Sequence, residues 1–168
     1  MLFVLVSLFY SEENIEGGRM RIYLAHPISG TSFSTTARYF LKTAKVLRKM
    51  GYKVLHPLTG KKELRCELEL KAEGYQHPVA TNHAIVRRDK WSVEHSDVFF
   101  LNLENATDIS VGCVAELAWA YAKNIHSVVV LPKQSKMRHA FVLEMSDVIF
   151  ETTSEALKYL RRLIKQRL

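Results

Sequence analysis

The chain has 168 residues, 48% of them hydrophobic, and a formal charge of +7 with 24% charged side chains. That is enough apolar chain for one good core, with no second composition regime, so a single domain is expected. Acids and bases are mixed along the sequence rather than blocked, which disfavours a nucleic-acid binder and favours an anionic small ligand or a generally basic surface.

The first ten residues, "MLFVLVSLFY", are apolar enough to suggest a signal peptide. They lack a basic leader, "SEENIEGG" follows in place of a small-residue cleavage site, and the run is too short to span a bilayer. Met20 stands directly before "RIYLAHPISG", where a compact fold would start. Residues 1–19 are therefore expected to be an upstream-start extension or an arm, or else an edge strand or interface segment, and residues 20–168 one domain.

"MRIYLAHP" reads as a buried strand closed by His-Pro. "SFSTTARYFLKTAKVLRKMGY" follows with Ser and Thr caps, apolar residues at helical spacing and Gly51 as the stop. "KVLHP" is a second strand, and "TGKKELRCELELKAEGYQHP" is charged and weakly periodic, predicting an irregular helical excursion over the site. "VATNHAIVRRDKWSVEHS" is helical and "DVFFLNL" a strand. "DISVGCVAELAWAYA" gives a helix, "HSVVVLP" and "SDVIFE" two more strands, and "TSEALKYLRRLIKQRL" a capped closing helix whose basic residues form a solvated face. Strands alternating with helices predict an α/β, doubly wound, flavodoxin- or Rossmann-like fold with a mainly parallel five-stranded sheet and helices on both faces. Ligands in such sheets bind beyond the carboxyl ends of the strands, near the point where strand order reverses.

Cys66 and Cys113 form no metal-type spacing, which fits a reducing cytoplasm. His26, His56, His77 and His83 form none either and read as loop histidines, with His26 near the pocket. Asp97 reads as a strand-edge or capping residue. Glu116 is the anomaly: a carboxylate inside an apolar helix is paired, edge-exposed or kept for chemistry. Ser110 and Gly112 open that helix, so their N–H groups can hold an anion or an oxygen-rich ligand. No lysine stands in phosphate-loop spacing, which excludes a Walker-type triphosphate site.

"YLAHPISG", "RRDKWSVEHSDVFFLNL" and "SVGCVAELAWA", with Asp89 eight positions before Asp97 and the pattern Ser110-x-Gly112-x-x-x-Glu116, resemble the nucleoside 2-deoxyribosyltransferase family and its relatives, the 2'-deoxynucleoside 5'-monophosphate N-hydrolases. The resemblance runs from residue 20 to about residue 150. It implies that Glu116 attacks the anomeric carbon and forms a covalent glycosyl-enzyme, as carboxylate nucleophiles do at oxocarbenium-like centres. It implies that Asp89 helps the base depart, by protonation or by organising its polar edge, and that Tyr23 hydrogen-bonds the nucleophile. The other readings of these two acids are a salt-bridged helix residue for Glu116 and a surface partner of Arg87 or Arg88 for Asp89. No metal and no organic cofactor are needed.

By the same resemblance Ser110 marks 5'-phosphate binders, where the nucleoside transferases carry an aspartate for the sugar hydroxyl. Ser29 takes the place of the hydrolases' phosphate-binding arginine, which departs from their pattern, and Asp108 can supply a carboxylate if the loop shifts. Ser29, Gly30, His26 and Asn102 complete the expected substrate contacts. The family pocket is closed by a neighbouring subunit, and the matching segment here is 136–150, "KMRHAFVLEMSDVIF". In it, Arg138 and His139 are candidates for the phosphate and Ser146 or Asp147 for the sugar, the other reading being a basic surface loop. The expected partners are a small nucleoside or nucleotide and a second copy of the chain, with no membrane. A non-catalytic nucleotide-binding domain on the same fold is the competing reading. An RNA contact through the basic last helix lacks any aromatic platform.

Overall fold

A computed structural model of the chain describes residues 20–61, 64–65, 67–75 and 77–166. The expected extension at residues 1–19 and Cys66 lie outside the described residues. Five strands form one sheet: β1 (Arg21–Ala25), β2 (Lys53–Leu55), β3 (Val98–Asn102), β4 (His126–Val130) and β5 (Val148–Phe150). All four neighbouring pairs are parallel, in the order β2-β1-β3-β4-β5. Chain order therefore reverses between β1 and β3, which is where such sheets open a ligand crevice.

Helices α1 (Phe33–Met50), α2 (Asn82–Glu94), α3 (Val111–Ala122), α4 (Ala140–Glu144) and α5 (Thr153–Lys165) connect or follow the strands. β3 is buried at every position, as parallel strands covered on both faces are. Alternation along each strand sorts the core into two layers. Ile22, Leu24, Phe100 and Val128 pack with Phe40, Ala44 and Leu47 of α1 and Leu160 of α5. Tyr23, Ala25, Phe99, Leu101 and Val129 pack on the other face with Val93 of α2 and Cys113, Leu117 and Ala120 of α3. Each large side chain so buried contributes about 1.5–3 kcal/mol.

The helix ends follow their residues. Ser32 caps α1 by accepting from the Thr35 N–H, and Gly51 closes it at φ 107°, a left-handed conformation open to glycine. Thr152 and Glu155 form a capping box on α5. That helix buries Ala156, Leu160 and Ile164 and leaves Arg161, Arg162 and Lys165 exposed. Among the described residues no helix is long and apolar enough to cross a membrane.

One expectation changes. The excursion after β2 is not helical beyond short turns among its described residues. Gly60 and Gly74 sit at positive φ, and the segment is tied to the β1–α1 loop by an antiparallel bridge between Ser32 and Glu69. The Leu70 carbonyl accepts from the Gly30 N–H and its own N–H donates to the Thr31 carbonyl, both at 2.8 Å. Tyr23 lies in the middle of β1 and reaches the site through the length of its ring.

Candidate active site

Tyr23 and Glu116 meet between the sheet and the α2–α3 layer. Tyr23 projects from β1, stacked on Phe99 of β3 with ring centroids 6.0 Å apart. Glu116 occupies the inward face of α3 with Cys113, Leu117 and Ala120, so the helix that packs on the sheet carries its acid inside. The Tyr23 hydroxyl donates to Glu116 Oε1 at 2.6 Å. Glu116 is only 7% exposed, and its carboxyl is pushed up to about 8 by burial first and by the charge of Asp89 second. The Tyr23 hydrogen bond and the charge of Lys61 pull it back. Burial and the two nearby carboxylates raise the Tyr23 phenol well above its ordinary range, so it stays a proton donor in this bond.

Asp89 projects from α2 into the same space. Both its oxygens accept from Lys61 Nζ, Oδ1 at 2.8 Å and Oδ2 at 2.7 Å. The partner is thus Lys61 and not a neighbouring arginine. Arg88 Nη2 donates instead to the Val79 carbonyl at 2.8 Å, and Arg87 is exposed. Burial raises the Asp89 carboxyl and lowers the Lys61 ammonium, while each partner opposes the other's shift. Sequence reasoning missed Lys61. It stands in "TGKKELR", where a charge-rich stretch without apolar spacing reads as solvated loop.

Ser110 is the N-cap of α3. Its Oγ accepts from the Cys113 N–H at 3.4 Å, and its own N–H points at Met137 Sδ, 3.3 Å away. Gly112, in the first turn, is exposed and has no heavy atom within 4 Å of where a Cβ would stand, leaving open space at the helix start. Asp108 is turned outward with 84% of its side chain exposed, 3.8 Å from Lys136.

His26 lies over the carboxyl end of β1, with Nδ1 2.8 Å from the Asn102 carbonyl oxygen and its ring stacked on Tyr39 at 3.9 Å. Burial lowers its pKa and favours the neutral ring. The Asn102 amide is already engaged: Nδ2 donates to Thr153 Oγ1 at 2.8 Å, and Oδ1 accepts from the Glu104 N–H at 3.0 Å. Asn102 thereby ties the end of β3 to the start of α5. Ser29 is exposed, and Gly30, at φ 78°, is held by its bond to Leu70.

Arg138 and His139 are exposed at the start of α4, where His139 Nδ1 accepts from the Phe141 N–H. Met137 brings this segment against Ser110 of its own chain. Ser146 and Asp147 both make hydrogen bonds within their own chain. Ser146 Oγ donates to the Val142 carbonyl, and Asp147 Oδ2 accepts from the Ser127 N–H at 2.7 Å, at the amino end of β4. Asp97 does the same for β1, accepting from the Arg21 N–H at 2.7 Å. Both carboxylates belong to the rim opposite the carboxyl ends.

The fold and site together define a class: a parallel α/β protein with a buried carboxylate, held by a phenol, on the helix after the switch-point strand. The nucleoside 2-deoxyribosyltransferase family matches residues 22–159, well over half of the chain, and the chain belongs to that family. Membership places it among enzymes of nucleoside glycosyl transfer. No curated protein matches the sequence. Among solved structures, a conserved protein from Enterococcus faecalis V583 superposes with a TM-score of 0.60 at 21% identity, covering 90% of this chain and 100% of its own. A 2-deoxyribosyltransferase from Bacillus psychrosaccharolyticus gives 0.61 at 18% identity, covering 83% of this chain and 91% of its own. A CMP N-glycosidase from Clostridium botulinum gives 0.50 at 15% identity, covering 88% of this chain and 99% of its own. At these identities the likeness is one of fold.

Proposed function

We propose that the protein cleaves the N-glycosidic bond of deoxynucleosides or nucleoside 5'-monophosphates through a covalent glycosyl-Glu116 intermediate. The observation that carries this reading is the buried Tyr23–Glu116 pair, an acid inside an apolar helix face, held by a phenol and with its pKa raised, which is the setting of a reactive carboxylate. In the reaction a Glu116 oxygen bonds to the anomeric carbon as the bond to the base nitrogen breaks and its electron pair leaves with the base. Tyr23 holds the carboxylate rotamer and stabilises its ionised form. Asp89 meets the polar edge of the base. Water or an acceptor base then displaces Glu116 from the sugar, and the proton that this nucleophile loses balances the one the departed base takes up from solvent.

Ser110 favours the 5'-monophosphate over the free nucleoside. A hydroxyl at a helix start can donate to a phosphate, and the first-turn N–H groups add to it, where a carboxylate would repel. Gly112, Ser29, Gly30 and His26 are read as lining the sugar-phosphate end, with Asn102 holding the rim in place. A second copy of the chain is read as closing the pocket with its 136–150 segment, Arg138 and His139 facing the phosphate. The exposed Ile109, Val111 and Phe141, in the two segments that meet at the Ser110–Met137 contact, support that reading.

Incubation with a panel of deoxynucleosides and their 5'-monophosphates, with and without a free acceptor base, tests the reading. Free base is expected from monophosphates without an acceptor. Base exchange on unphosphorylated nucleosides alone would contradict the phosphate role of Ser110.

A further inference from the structure

A lysine stem is long enough to carry its ammonium to water, and lysines ordinarily do so. Lys61 does not: its side chain is 2% exposed, against 13% for Asp89, and both Asp89 oxygens lie within 2.8 Å of its Nζ. A buried ammonium is costly without a paired anion, so its place inside is set by Asp89. Asp89 in turn needs it, because its charge acts on Glu116 and on Tyr23. Two carboxylates sharing a buried space do not both ionise unless a cation stands with them.

Among the described residues, the charged and titratable groups around this space come from every element that packs on it. Glu116 faces Tyr23 from β1, Asp89 from α2, Lys61 from the loop after β2, and Cys113 from its own helix. Arg88 acts on Asp89 and on Lys61, but its guanidinium is drawn to the Val79 carbonyl. His56, at the end of β2, faces Lys61 and Arg48, and burial holds its ring down to about 3, so it adds no charge at neutral pH. Among the described residues Lys61 is the cation seated directly on the second carboxylate.

The geometry points to Lys61 as the positioning residue of this site: seated on both oxygens of Asp89, it fixes that side chain as an ionised acceptor and offsets its charge toward Glu116. The nucleophile can then ionise beside a second carboxylate. Asp89 so held meets the leaving base by accepting from an N–H of its edge rather than by giving up a proton. This role rests on the reading of Glu116 as nucleophile, but its test does not depend on turnover.

The test is the titration of Glu116 in the full chain labelled with carboxyl-13C glutamate, the Glu116 resonance being assigned by its loss in Glu116→Gln. Lys61→Met is expected to raise the midpoint by about one pH unit or more, and Lys61→Arg to hold it near wild type. Asp89→Asn is expected to lower it, and the double variant Lys61→Met/Asp89→Asn to return it toward the wild-type value. A Lys61→Met midpoint within about a third of a unit of wild type overturns the role of Lys61. If Lys61→Met alone does not fold, Asp89→Asn and the double variant carry the test, and equal midpoints in those two overturn it. An unmoved midpoint in protein that still releases base removes the role of Lys61 and leaves the glycosidic reading standing. A midpoint that moves as stated, in protein that releases base from no substrate, keeps the charge role and removes the glycosidic reading.

Discussion

The Tyr23 hydroxyl donates to Glu116 Oε1 at 2.6 Å, joining the first strand to a helix residue 93 positions later. Such a bond strengthens when its acceptor ionises. Burial favours the protonated acid and Tyr23 favours the carboxylate, and the balance leaves Glu116 titrating at about 8.

Tyr23→Phe keeps the ring that stacks on Phe99 and removes the donor. A hydrogen bond to a charged group contributes about 1.5–3 kcal/mol, so kcat/KM for base release is expected to fall roughly 10- to 100-fold. The acid limb of the pH profile should also move up, because the group that stabilises ionised Glu116 is gone. An unchanged profile would show that Tyr23 does not act on the nucleophile.

In the wild-type protein, kcat/KM reports the free enzyme, and a nucleophilic carboxylate acts only when ionised. Activity is therefore expected to rise with pH and reach half its plateau near 8, the value set by burial and the charge of Asp89. A plateau already complete at pH 5 would mean that Glu116 is solvated or is not the nucleophile.

Stability should move in the opposite direction. Glu116 is raised from an ordinary 4.5 to about 8 in the folded chain, so between those values the unfolded state binds fewer protons than the folded one. Stability then falls as pH rises through that window, on the order of 1 kcal/mol per pH unit from this group. Denaturant titrations across the window, compared with Glu116→Gln, isolate the contribution. The Gln variant is expected to be flatter and, at pH 8, more stable than wild type.

Ser110→Asp tests the phosphate end without disturbing the helix, since Asp caps an N-terminus as well as Ser does. It is expected to cut kcat/KM on 5'-monophosphates at least about 10-fold through like-charge repulsion while sparing unphosphorylated nucleosides. Equal losses on both substrate classes would place the phosphate elsewhere.

The sheet was legible because parallel strands buried on both faces read as unbroken apolar runs, and because Ser32, Gly51 and Thr152 mark helix ends with residues suited to those ends. Glu116 was legible by contrast, one acid among Cys, Ala, Leu and Trp. Lys61 was not, because its partner lies 28 positions away and a lysine in a charged loop looks like every other solvated lysine. Asn102 reads from sequence as a substrate contact, but its engagement with Thr153 of α5 depends on a packing that no local pattern encodes. The excursion after β2 reads as irregular and helical from its charges and weak periodicity, whereas Gly60, Gly74 and the bonds between Leu70 and the Gly30–Thr31 turn hold its described residues as irregular chain.

The most direct measurement of the central claim is mass spectrometry of the acid-quenched, digested protein after brief incubation with deoxynucleosides and their 5'-monophosphates. The peptide carrying Glu116 is expected to gain the mass of one sugar or sugar phosphate, with release of one equivalent of base, and Glu116→Ala should lose both signals. Free base released at full rate by Glu116→Ala, or a sugar adduct carried on any other residue, would contradict it.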